Sequence, residues 1–380
     1  MLTGQHQAHN RLLVDLANAM TAFQAAHVND PADWNASSFE GPGDFARQVT
    51  AAEVAELDAI CASLEARGLG WNDTSRADFP FEALAPALGE VLRALRAGRG
   101  FALLRGLPLG QWTKDRARLA AWGLGTWIGN HVSQTVQGLR LVDVSDVTGD
   151  EPSPRQYKTS QELRLHTDPA SDIIGLACVQ DAKTGGDSVI TSAVAVHNAM
   201  LAQRPDLLEL LYRGFHWHRF GEGRPQDGPY TRELVPVFAQ EGGQLSCRYV
   251  RSPIAAGHKE AGVPLTDPQI EALDLLDRLF SSPQLRLAFR MQPGDLLMVN
   301  NLAVLHARTQ FEDHPAIESR RHMVRLWLEG IEGFRAVPAR VNFFNGGRCG
   351  IPFQAGQEAA YDVGALYQDR ASGGIAKLGV

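Results

Sequence analysis

Residues 293–328 read PGDLLMVNNLAVLHARTQFEDHPAIESRRHMVRLWL, and two apolar runs in this stretch decide the fold class. The first run, Leu296–Val299, follows the turn-forming triplet Pro293-Gly294-Asp295 and is continuous, which predicts a strand buried on both faces. The second run, Met323–Leu328, places bulky apolar side chains on both of its alternating faces. The stretch therefore predicts two covered β-strands, with a connection between them that includes His306.

The rest of the chain alternates predicted strands with predicted helices. Strands are predicted at Phe101–Leu104, Leu139–Val144, Ile173–Val179, Ser188–Thr191, His216–Phe220, Leu234–Phe238, Leu245–Val250 and Leu285–Met291. Helices are predicted at Leu12–Phe23, from Thr50 to Gly68, at Ala87–Ala97, at Thr113–Leu124, at Ala193–Leu211 with a break at Pro205, and at Gln269–Phe280. This pattern predicts an α+β, β-rich fold, in which an antiparallel barrel or sandwich carries helical decoration and N-terminal helices.

The composition of the chain excludes several classes of protein. It has 380 residues, of which 44% are hydrophobic and 21% are charged, and its formal net charge is −7. These values are typical of a soluble globular protein, and the acidic balance argues against nucleic acid or an anionic membrane as partner. Residues 1–20 lack the pattern of a signal peptide, and no apolar run is long enough to cross a membrane. With four widely spaced cysteines and no Cys-x-x-Cys pair, we expect a cytoplasmic protein.

His166-Thr167-Asp168 is the first candidate for metal chemistry. On an extended backbone, residues i and i+2 share a face, so the imidazole and the carboxylate can reach one metal ion. A single His-x-Asp is common by chance, and taken alone it indicates an ordinary histidine. His306 would supply a third ligand, and two histidines with one carboxylate form the facial triad of non-haem Fe(II). The same three residues also suit zinc with an activated water.

Two arginines on the strand at the end of the quoted stretch indicate an anionic ligand. Arg321 and Arg325 are four residues apart and share a strand face with Met323 and Trp327. Burying two guanidinium groups on one covered face costs free energy unless each binds an anion. A carboxylate is the natural bidentate partner. The alternative is an edge strand whose arginines are solvated.

In this order along the chain, the motifs resemble those of the taurine dioxygenase (TauD/TfdA-like) family. The motifs are His166-Thr167-Asp168, Gly185-Gly186-Asp187-Ser188, Pro293-Gly294-Asp295, His306 and the pair Arg321 and Arg325. Members of this family are Fe(II)- and 2-oxoglutarate-dependent oxygenases with a double-stranded β-helix core of the jelly-roll or cupin-like kind. The resemblance covers about residues 85–330, and the ordered set is far more specific than any single motif.

The resemblance implies roles for particular residues. It implies that His166, Asp168 and His306 hold the iron. It implies that Arg321, with the hydroxyl of Ser188 where the family usually has threonine, binds the distal carboxylate of 2-oxoglutarate. Three further residues are implied as substrate contacts: Arg325, His131 and Glu162.

The resemblance also implies a reaction and a division of the chain. With Fe(II), 2-oxoglutarate and O₂, the protein would hydroxylate an unactivated C–H bond of a small, anionic or amino-acid-like metabolite and release succinate and CO₂. A zinc-dependent hydrolase and a non-catalytic metal-binding β-barrel remain as alternatives. We expect an N-terminal helical extension at 1–84, the oxygenase domain at 85–330 and a C-terminal extension at 331–380. The N-terminal helices offer a surface for a homo-oligomer.

Overall fold

The computed structural model describes residues 25–146, 158–331 and 334–354. The helices are α1 (Ala51–Ala66), α2 (Ala85–Ala97), α3 (Lys114–Thr126), α4 (Ala193–Gln203), α5 (Pro205–Arg213), α6 (Arg251–Glu260) and α7 (Asp267–Phe280). Short 3-10 helices lie at Ala36–Ser38, Pro42–Asp44, Trp71–Asp73, Arg76–Asp78, Pro225–Asp227, Ile317–Ser319 and Ala339–Val341. The predicted helix at Leu12–Phe23 lies outside the described residues.

The strands are interspersed with these helices along the chain. They are β1 (Ala46–Gln48), β2 (Phe101–Arg105), β3 (Gly129–His131), β4 (Leu141–Val144), β5 (Leu163–His166), β6 (Ile173–Gln180), β7 (Thr184–Gly185), β8 (Ser188–Ser192), β9 (Phe238–Glu241), β10 (Gln244–Cys247), β11 (Arg286–Phe289), β12 (Leu296–Asn300), β13 (Val304–Arg308), β14 (Phe311–Glu312) and β15 (His322–Gly330). The fold is therefore a mixed α/β structure built on β-sheets.

Local sequence signals explain where several of these helices begin and end. Helix α1 begins with a capping box, in which the Thr50 hydroxyl accepts a hydrogen bond from the Glu53 N–H and the Glu53 carboxylate accepts one from the Thr50 N–H. Pro205 separates α4 from α5, because proline cannot continue the hydrogen-bonding pattern of the preceding helix. The predicted helix start at Thr50 and the predicted break at Pro205 are both confirmed.

The strands form two main sheets that face each other. The large sheet has seven strands in the order β1-β2-β12-β6-β15-β3, with β4 also paired to β15, and the small sheet has the order β11-β8-β13-β5. Strands β9 with β10 and β7 with β14 form two-stranded ribbons. The pairs are antiparallel, apart from the parallel pair β1 and β2.

Alternating residues of the large sheet divide the core into two layers. On β15, Val324, Leu326 and Leu328 pack with the buried faces of α1, α2 and α3. Met323 and Trp327 face the other way, into a core shared with the small sheet. This alternation agrees with the prediction that β15 is covered on both sides, and it directs the side chain of Arg325 towards the space between the sheets.

Two predicted strands are wrong. Only isolated bridges are found at Phe215 and His218, and Phe220 adopts a positive φ of 50°. Residues 234–237 carry one isolated bridge at Val235, and the strand β9 begins only at Phe238. Pro236 explains the second error, because it has no N–H to donate to a sheet.

The segment before residue 85 is less purely helical than predicted. Strand β1 pairs with β2 and forms an edge of the large sheet. Trp34 and Phe45 belong to the core between the sheets, and Leu57 belongs to the core under the helices. The division at residue 85 remains a prediction. Among the described residues, no helix combines the length and apolar character needed to cross a membrane.

Candidate active site

Three predicted metal ligands meet in the space between the two sheets. His166 ends β5 and His306 lies directly opposite it on β13, while Asp168 follows two residues after β5. Nε2 of His166 lies 3.8 Å from Oδ1 of Asp168, and Nε2 of His306 lies 3.8 Å from Oδ2 of the same carboxylate. One ligand atom from each residue lies within 4.8 Å of the other two. The register of β5 and β13 thus brings together ligands that are 140 positions apart in sequence.

The protonation of these side chains suits a divalent metal. Burial lowers the pKa of His306 to about 3, so its imidazole stays neutral at physiological pH. Nδ1 of His166 lies 2.8 Å from the backbone carbonyl of Arg164, which requires the proton on Nδ1 and leaves Nε2 as a lone-pair donor. Neutral imidazole and an ionised carboxylate are the forms that bind a metal. The donor set of two histidines and one carboxylate fits Fe(II).

Asp168 is tied to its neighbours through both its backbone and its side chain. Its N–H donates to Oδ1 of Asn301 at 2.8 Å, and its carbonyl accepts from Nδ2 of Asn301 and from Nη1 of Arg248, each at 2.7 Å. The indole N–H of Trp327 donates to Oδ2 at 2.8 Å. Burial raises the pKa of Asp168, but the nearby charge of Arg325 and the Trp327 hydrogen bond oppose this, and the net pKa is lowered. The carboxylate is therefore held ionised.

Arg325 lies beside the metal ligands. Its Nη1 lies 3.8 Å from Oδ2 of Asp168, and its Nε donates to Oε1 of Gln134 at 2.8 Å. Gln134 is itself buried and donates back to the backbone carbonyl of Arg325 at 2.9 Å. The guanidinium is thus oriented by a neutral amide, next to the candidate metal centre.

Arg321 is buried in a different environment. Its guanidinium packs against the ring of Phe311 at 5.4 Å and makes no hydrogen bond or ion pair with any of the described residues. Arg308 packs on Phe311 as well, at 4.5 Å, and donates to the backbone carbonyls of Thr159 and Gln161. Burial lowers the pKa of both arginines, and their mutual repulsion lowers that of Arg308 further, to about 9. Two buried cations near one ring, with no carboxylate bound to Arg321, form a region that favours an anion.

The Gly185-Gly186-Asp187-Ser188 motif forms the turn beside Arg321. Gly186 has a φ of +75°, and a Cβ there would lie 3.3 Å from Nε of Arg321, so both backbone conformation and space favour glycine. Ser188 is buried and lies opposite Arg308 in the pairing of β8 with β13. Because Ile190 lies opposite His306 in the same pairing, Ser188 and His306 share a face of the small sheet.

The structure does not bring His131 together with the candidate metal ligands. Its ring stacks on Trp122 of α3 at 3.6 Å, and its Nε2 lies 3.1 Å from the Trp122 carbonyl. It pairs with Leu328, which faces the helices rather than the small sheet. His131 therefore belongs to the layer between the large sheet and α3, on the opposite face from Arg325.

Glu162 is also not brought to the candidate metal ligands in the structure. Its side chain is exposed and lines a cavity of about 210 Å³ together with Val189 and Ala307. These two residues alternate along their strands with Ile190 and His306, so the cavity lies on the outer face of the small sheet. The loop-borne residue before β5 cannot be positioned from sequence spacing alone.

Sequence reasoning missed residues that hold the site together, namely Asn301, Arg248, Trp327 and Gln134. Of these four residues, Trp327 is the one whose position could have been predicted, since strand alternation places its side chain on the same face as Arg325. Asn301 follows a buried apolar run, where a polar side chain needs a partner, but its partner is distant in sequence.

Comparison with known proteins agrees with this geometry. A sequence profile of the family described as taurine catabolism dioxygenase TauD, TfdA family matches residues 65–327. The FR-33289 synthase of Streptomyces rubellomurinus is 29% identical over 328 residues, which covers 85% of this chain and 92% of that protein. The taurine hydroxylase-like protein SAT17 of Stachybotrys chartarum is 28% identical over 334 residues, with 84% of each chain covered.

A solved structure of asparagine oxygenase in complex with Fe(II), 2S,3S-3-hydroxyasparagine and succinate has a similar fold. Its TM-score is 0.59 at 19% identity, and the match covers 75% of this chain and 93% of that one. The family profile covers well over half of the chain and includes all three candidate metal ligands. The chain therefore belongs to the taurine catabolism dioxygenase TauD, TfdA family, and it is a non-haem iron, 2-oxoglutarate-dependent dioxygenase.

Proposed function

We propose that His166, Asp168 and His306 hold the Fe(II), that Arg321 and Ser188 bind 2-oxoglutarate, and that Arg325 binds an anionic group of the substrate. The substrate in this proposal is a small anionic or amino-acid-like metabolite, which the enzyme hydroxylates at an unactivated C–H bond. The observation that carries the proposal is the cluster of two imidazoles and one carboxylate between the sheets, whose ligand atoms lie within 4.8 Å of one another.

The chain's own residues would position the reactants. Bound Fe(II) with 2-oxoglutarate and O₂ supplies the oxidising chemistry, and the cosubstrate leaves as succinate and CO₂. His166, Asp168 and His306 would hold the Fe(II), and a set of only three protein ligands would leave positions for the cosubstrate and O₂. The apolar core on the Trp327 face of the large sheet limits the access of water to this space.

Arg321 is the best candidate for the distal carboxylate of 2-oxoglutarate. A buried guanidinium without a carboxylate among the described residues is costly, and a bidentate dicarboxylate would offset that cost. The close approach of the Gly186 backbone to Arg321 and the hydroxyl of Ser188 on the inner face of the small sheet support the same placement.

Arg325 supports an anionic substrate group near the metal. Its guanidinium is oriented by the amide of Gln134 and lies 3.8 Å from Oδ2 of Asp168, beside the candidate metal centre. The related proteins fit this class of substrate, since one is described as taurine hydroxylase-like and one was solved with 3-hydroxyasparagine. Amino acids and small sulfonates are therefore the first compounds to test.

The proposal extends to the core architecture, the domains, the location and the oligomeric state of the protein. The facing of a large and a small antiparallel sheet supports a double-stranded β-helix, or jelly-roll, core. We place the oxygenase domain at 85–330, with extensions at 1–84 and 331–380. We expect the enzyme in the cytoplasm, and we expect a homo-oligomer to use the N-terminal region.

The decisive experiment measures succinate. Protein purified without oxygen is loaded with Fe(II), given 2-oxoglutarate and O₂, and screened against amino acids and small sulfonates, phosphonates and carboxylates. We expect succinate release that increases with the true substrate, together with a product heavier by one oxygen atom. Zinc-loaded protein is the control. Hydrolysis by the zinc form, without succinate from the iron form, would overturn the proposal in favour of a hydrolase.

A further inference from the structure

Trp327 stands out among the buried tryptophans because its N–H is directed at a candidate metal ligand. It lies on β15, is 4% exposed and donates its indole N–H to Oδ2 of Asp168 at 2.8 Å. On the other face of β15, Val324, Leu326 and Leu328 pack in the core under the helices. The hydrogen bond thus joins the large sheet to a ligand that follows a strand of the small sheet.

The backbone of Asp168 is already fixed without Trp327. The side-chain amide of Asn301 bonds to both its N–H and its carbonyl, and the fully buried Arg248 bonds to the same carbonyl and to that of Ser171. These contacts determine where Cα of Asp168 lies. They leave free only the rotation of the carboxylate about its side-chain bonds.

The two oxygens of this carboxylate have unequal surroundings. Oδ2 accepts the Trp327 hydrogen bond and lies 3.8 Å from both Nη1 of Arg325 and Nε2 of His306. Oδ1 receives no hydrogen bond from any residue within the described ranges, and it lies 3.8 Å from Nε2 of His166. A lone pair that is already used for a hydrogen bond is less available to a metal than one that is free.

We propose that Trp327 is a positioning residue, which holds Oδ2 of Asp168 away from the metal so that the carboxylate binds through Oδ1 alone. This inference rests on the proposed function, because it takes Asp168 as a ligand of Fe(II). A carboxylate that binds through both oxygens occupies one more coordination position, which the cosubstrate or O₂ would otherwise use. Trp327 therefore keeps a coordination position available for the cosubstrate or O₂. It also orients the Asp168 carboxylate in the metal-free protein.

Removal of the N–H should weaken metal binding. Partners that orient a metal ligand typically contribute about 10- to 100-fold in affinity, so Trp327→Phe should bind Fe(II) and Mn(II) more weakly by about that factor. The measurement is isothermal titration of metal-free protein under anaerobic conditions, with each metal alone and then in the presence of 2-oxoglutarate. The second titration should show a larger loss of metal affinity in the variant, because a carboxylate that binds through both oxygens would compete with 2-oxoglutarate for a coordination position.

Trp34→Phe is the matched control. Trp34 is 5% exposed, belongs to the same core, and donates its indole N–H to the Arg99 carbonyl at 2.7 Å. The two substitutions remove the same atoms and one hydrogen bond each, but only Trp327 contacts a candidate ligand. Trp34→Phe should bind both metals like the wild type.

The outcomes separate the two hypotheses. If the wild type binds neither metal, the proposed function fails. If the wild type binds and Trp327→Phe binds equally well, Trp327 has no positioning role and the inference is overturned. If Trp327→Phe does not fold by circular dichroism, benzothienylalanine at position 327 replaces it, because sulfur there keeps the ring shape and cannot donate a hydrogen bond. Wild-type metal affinity with that residue would equally overturn the inference.

Discussion

At the scale of single residues, the two arginines near the start and middle of β15 differ in what compensates their charge. Arg325 has an amide at 2.8 Å and the Asp168 carboxylate at 3.8 Å. The guanidinium of Arg321 has an aromatic ring and no carboxylate within bonding distance in the described part of the chain. We therefore expect Arg321 to gain most from an anionic ligand.

Arg321→Ala should weaken 2-oxoglutarate binding by the equivalent of about 2 to 5 kcal/mol, because a buried carboxylate would lose its charged partner. Ser188→Ala should cost less, about 1 kcal/mol, since only one hydrogen bond is lost. Both are measured by titrating 2-oxoglutarate into metal-loaded protein without oxygen. Arg116→Ala is the control, because Arg116 pairs with Asp58 and Glu65 in the helical layer. Unchanged affinity in Arg321→Ala would mean that another cation binds the cosubstrate.

Arg325→Gln should uncouple the two half-reactions. The variant would still bind 2-oxoglutarate and convert it slowly to succinate, but the substrate identified by the screen would no longer accelerate this conversion. The reason is the loss of the positive charge that lies beside the metal ligands. The measurement is the ratio of hydroxylated product to succinate at saturating Fe(II). A wild-type ratio would remove Arg325 from the substrate site and leave it as a neighbour of Asp168.

His306→Ala should abolish binding of Fe(II) and Mn(II) while the protein stays folded. Its Nδ1 is buried and has no hydrogen-bond partner among the described residues, so the imidazole contributes little polar bonding to the metal-free fold. Metal titration and circular dichroism test the two halves of this prediction. His27→Ala, at an exposed side chain, serves as the control. Near-normal metal affinity in His306→Ala would show that a different residue completes the ligand set.

The contrast between these residues and those that sequence reasoning missed has a physical cause. His166 and Asp168 are two positions apart on an extended backbone, so their proximity follows from local geometry. Trp327 and Asn301 reach Asp168 from 159 and 133 positions away, respectively. No periodicity encodes such contacts, because they depend on which strands pair. The positions of His131 and Glu162 could not be predicted for the same reason, since spacing alone did not fix the face on which each side chain lies.

At the scale of elements, α3 and β3 form a close contact that depends on two unusual residues. A Cβ on Gly125 would lie 2.7 Å from Cε1 of His131, so the helix can approach the strand only with glycine there. The imidazole then stacks almost parallel on Trp122, at an angle of 8°. Burial lowers the pKa of His131 to about 4, which makes this contact sensitive to acid.

His131→Phe should reduce the acid sensitivity of folding. The folded-state pKa of about 4 lies below the ordinary value of 6.5. Between these two pH values the imidazole is protonated in the unfolded chain but neutral in the folded chain. The wild type should therefore lose stability as the pH falls from about 6.5 to about 4, and the variant should lose about 3 kcal/mol less over that range. Phenylalanine preserves a ring on Trp122 but cannot be protonated. Urea unfolding at pH 7 and pH 4 checks the difference, and parallel pH profiles would contradict it.

Elements with a strong local signal were predictable, and those that depend on distant partners were not. The capping box at Thr50 and the proline at position 205 define helix ends within a few residues. Residues 234–237 are apolar enough for a strand, yet the N–H of Val237 donates to the Leu211 carbonyl of α5. Tertiary context therefore overrode strand propensity at that point.

At the scale of the whole molecule, the segment before residue 85 contributes to the core that encloses the site. The ring of Phe45 lies 5.3 Å from that of Phe101 on β2 and 5.1 Å from that of Phe289 on β11. One side chain of this segment thus contacts both the large and the small sheet. The mixture of strands and helices was predictable from periodicity. The contact of Phe45 with both sheets was not, because it joins residues more than 240 positions apart.

Phe45→Ala should destabilise the entire protein and not only its N-terminal part. Loss of a buried phenylalanine costs about 3 to 5 kcal/mol, which is a large share of the roughly 5 to 15 kcal/mol that stabilises a typical domain. Urea unfolding, monitored by tryptophan fluorescence and by circular dichroism, should give one shared transition. Its midpoint should lie at a lower urea concentration than in the wild type. Ile317→Ala, at a side chain that is 70% exposed, should change the free energy of unfolding by less than about 0.5 kcal/mol. Two separate transitions, with the second at the wild-type midpoint, would instead show that the segment before residue 85 folds as an independent extension.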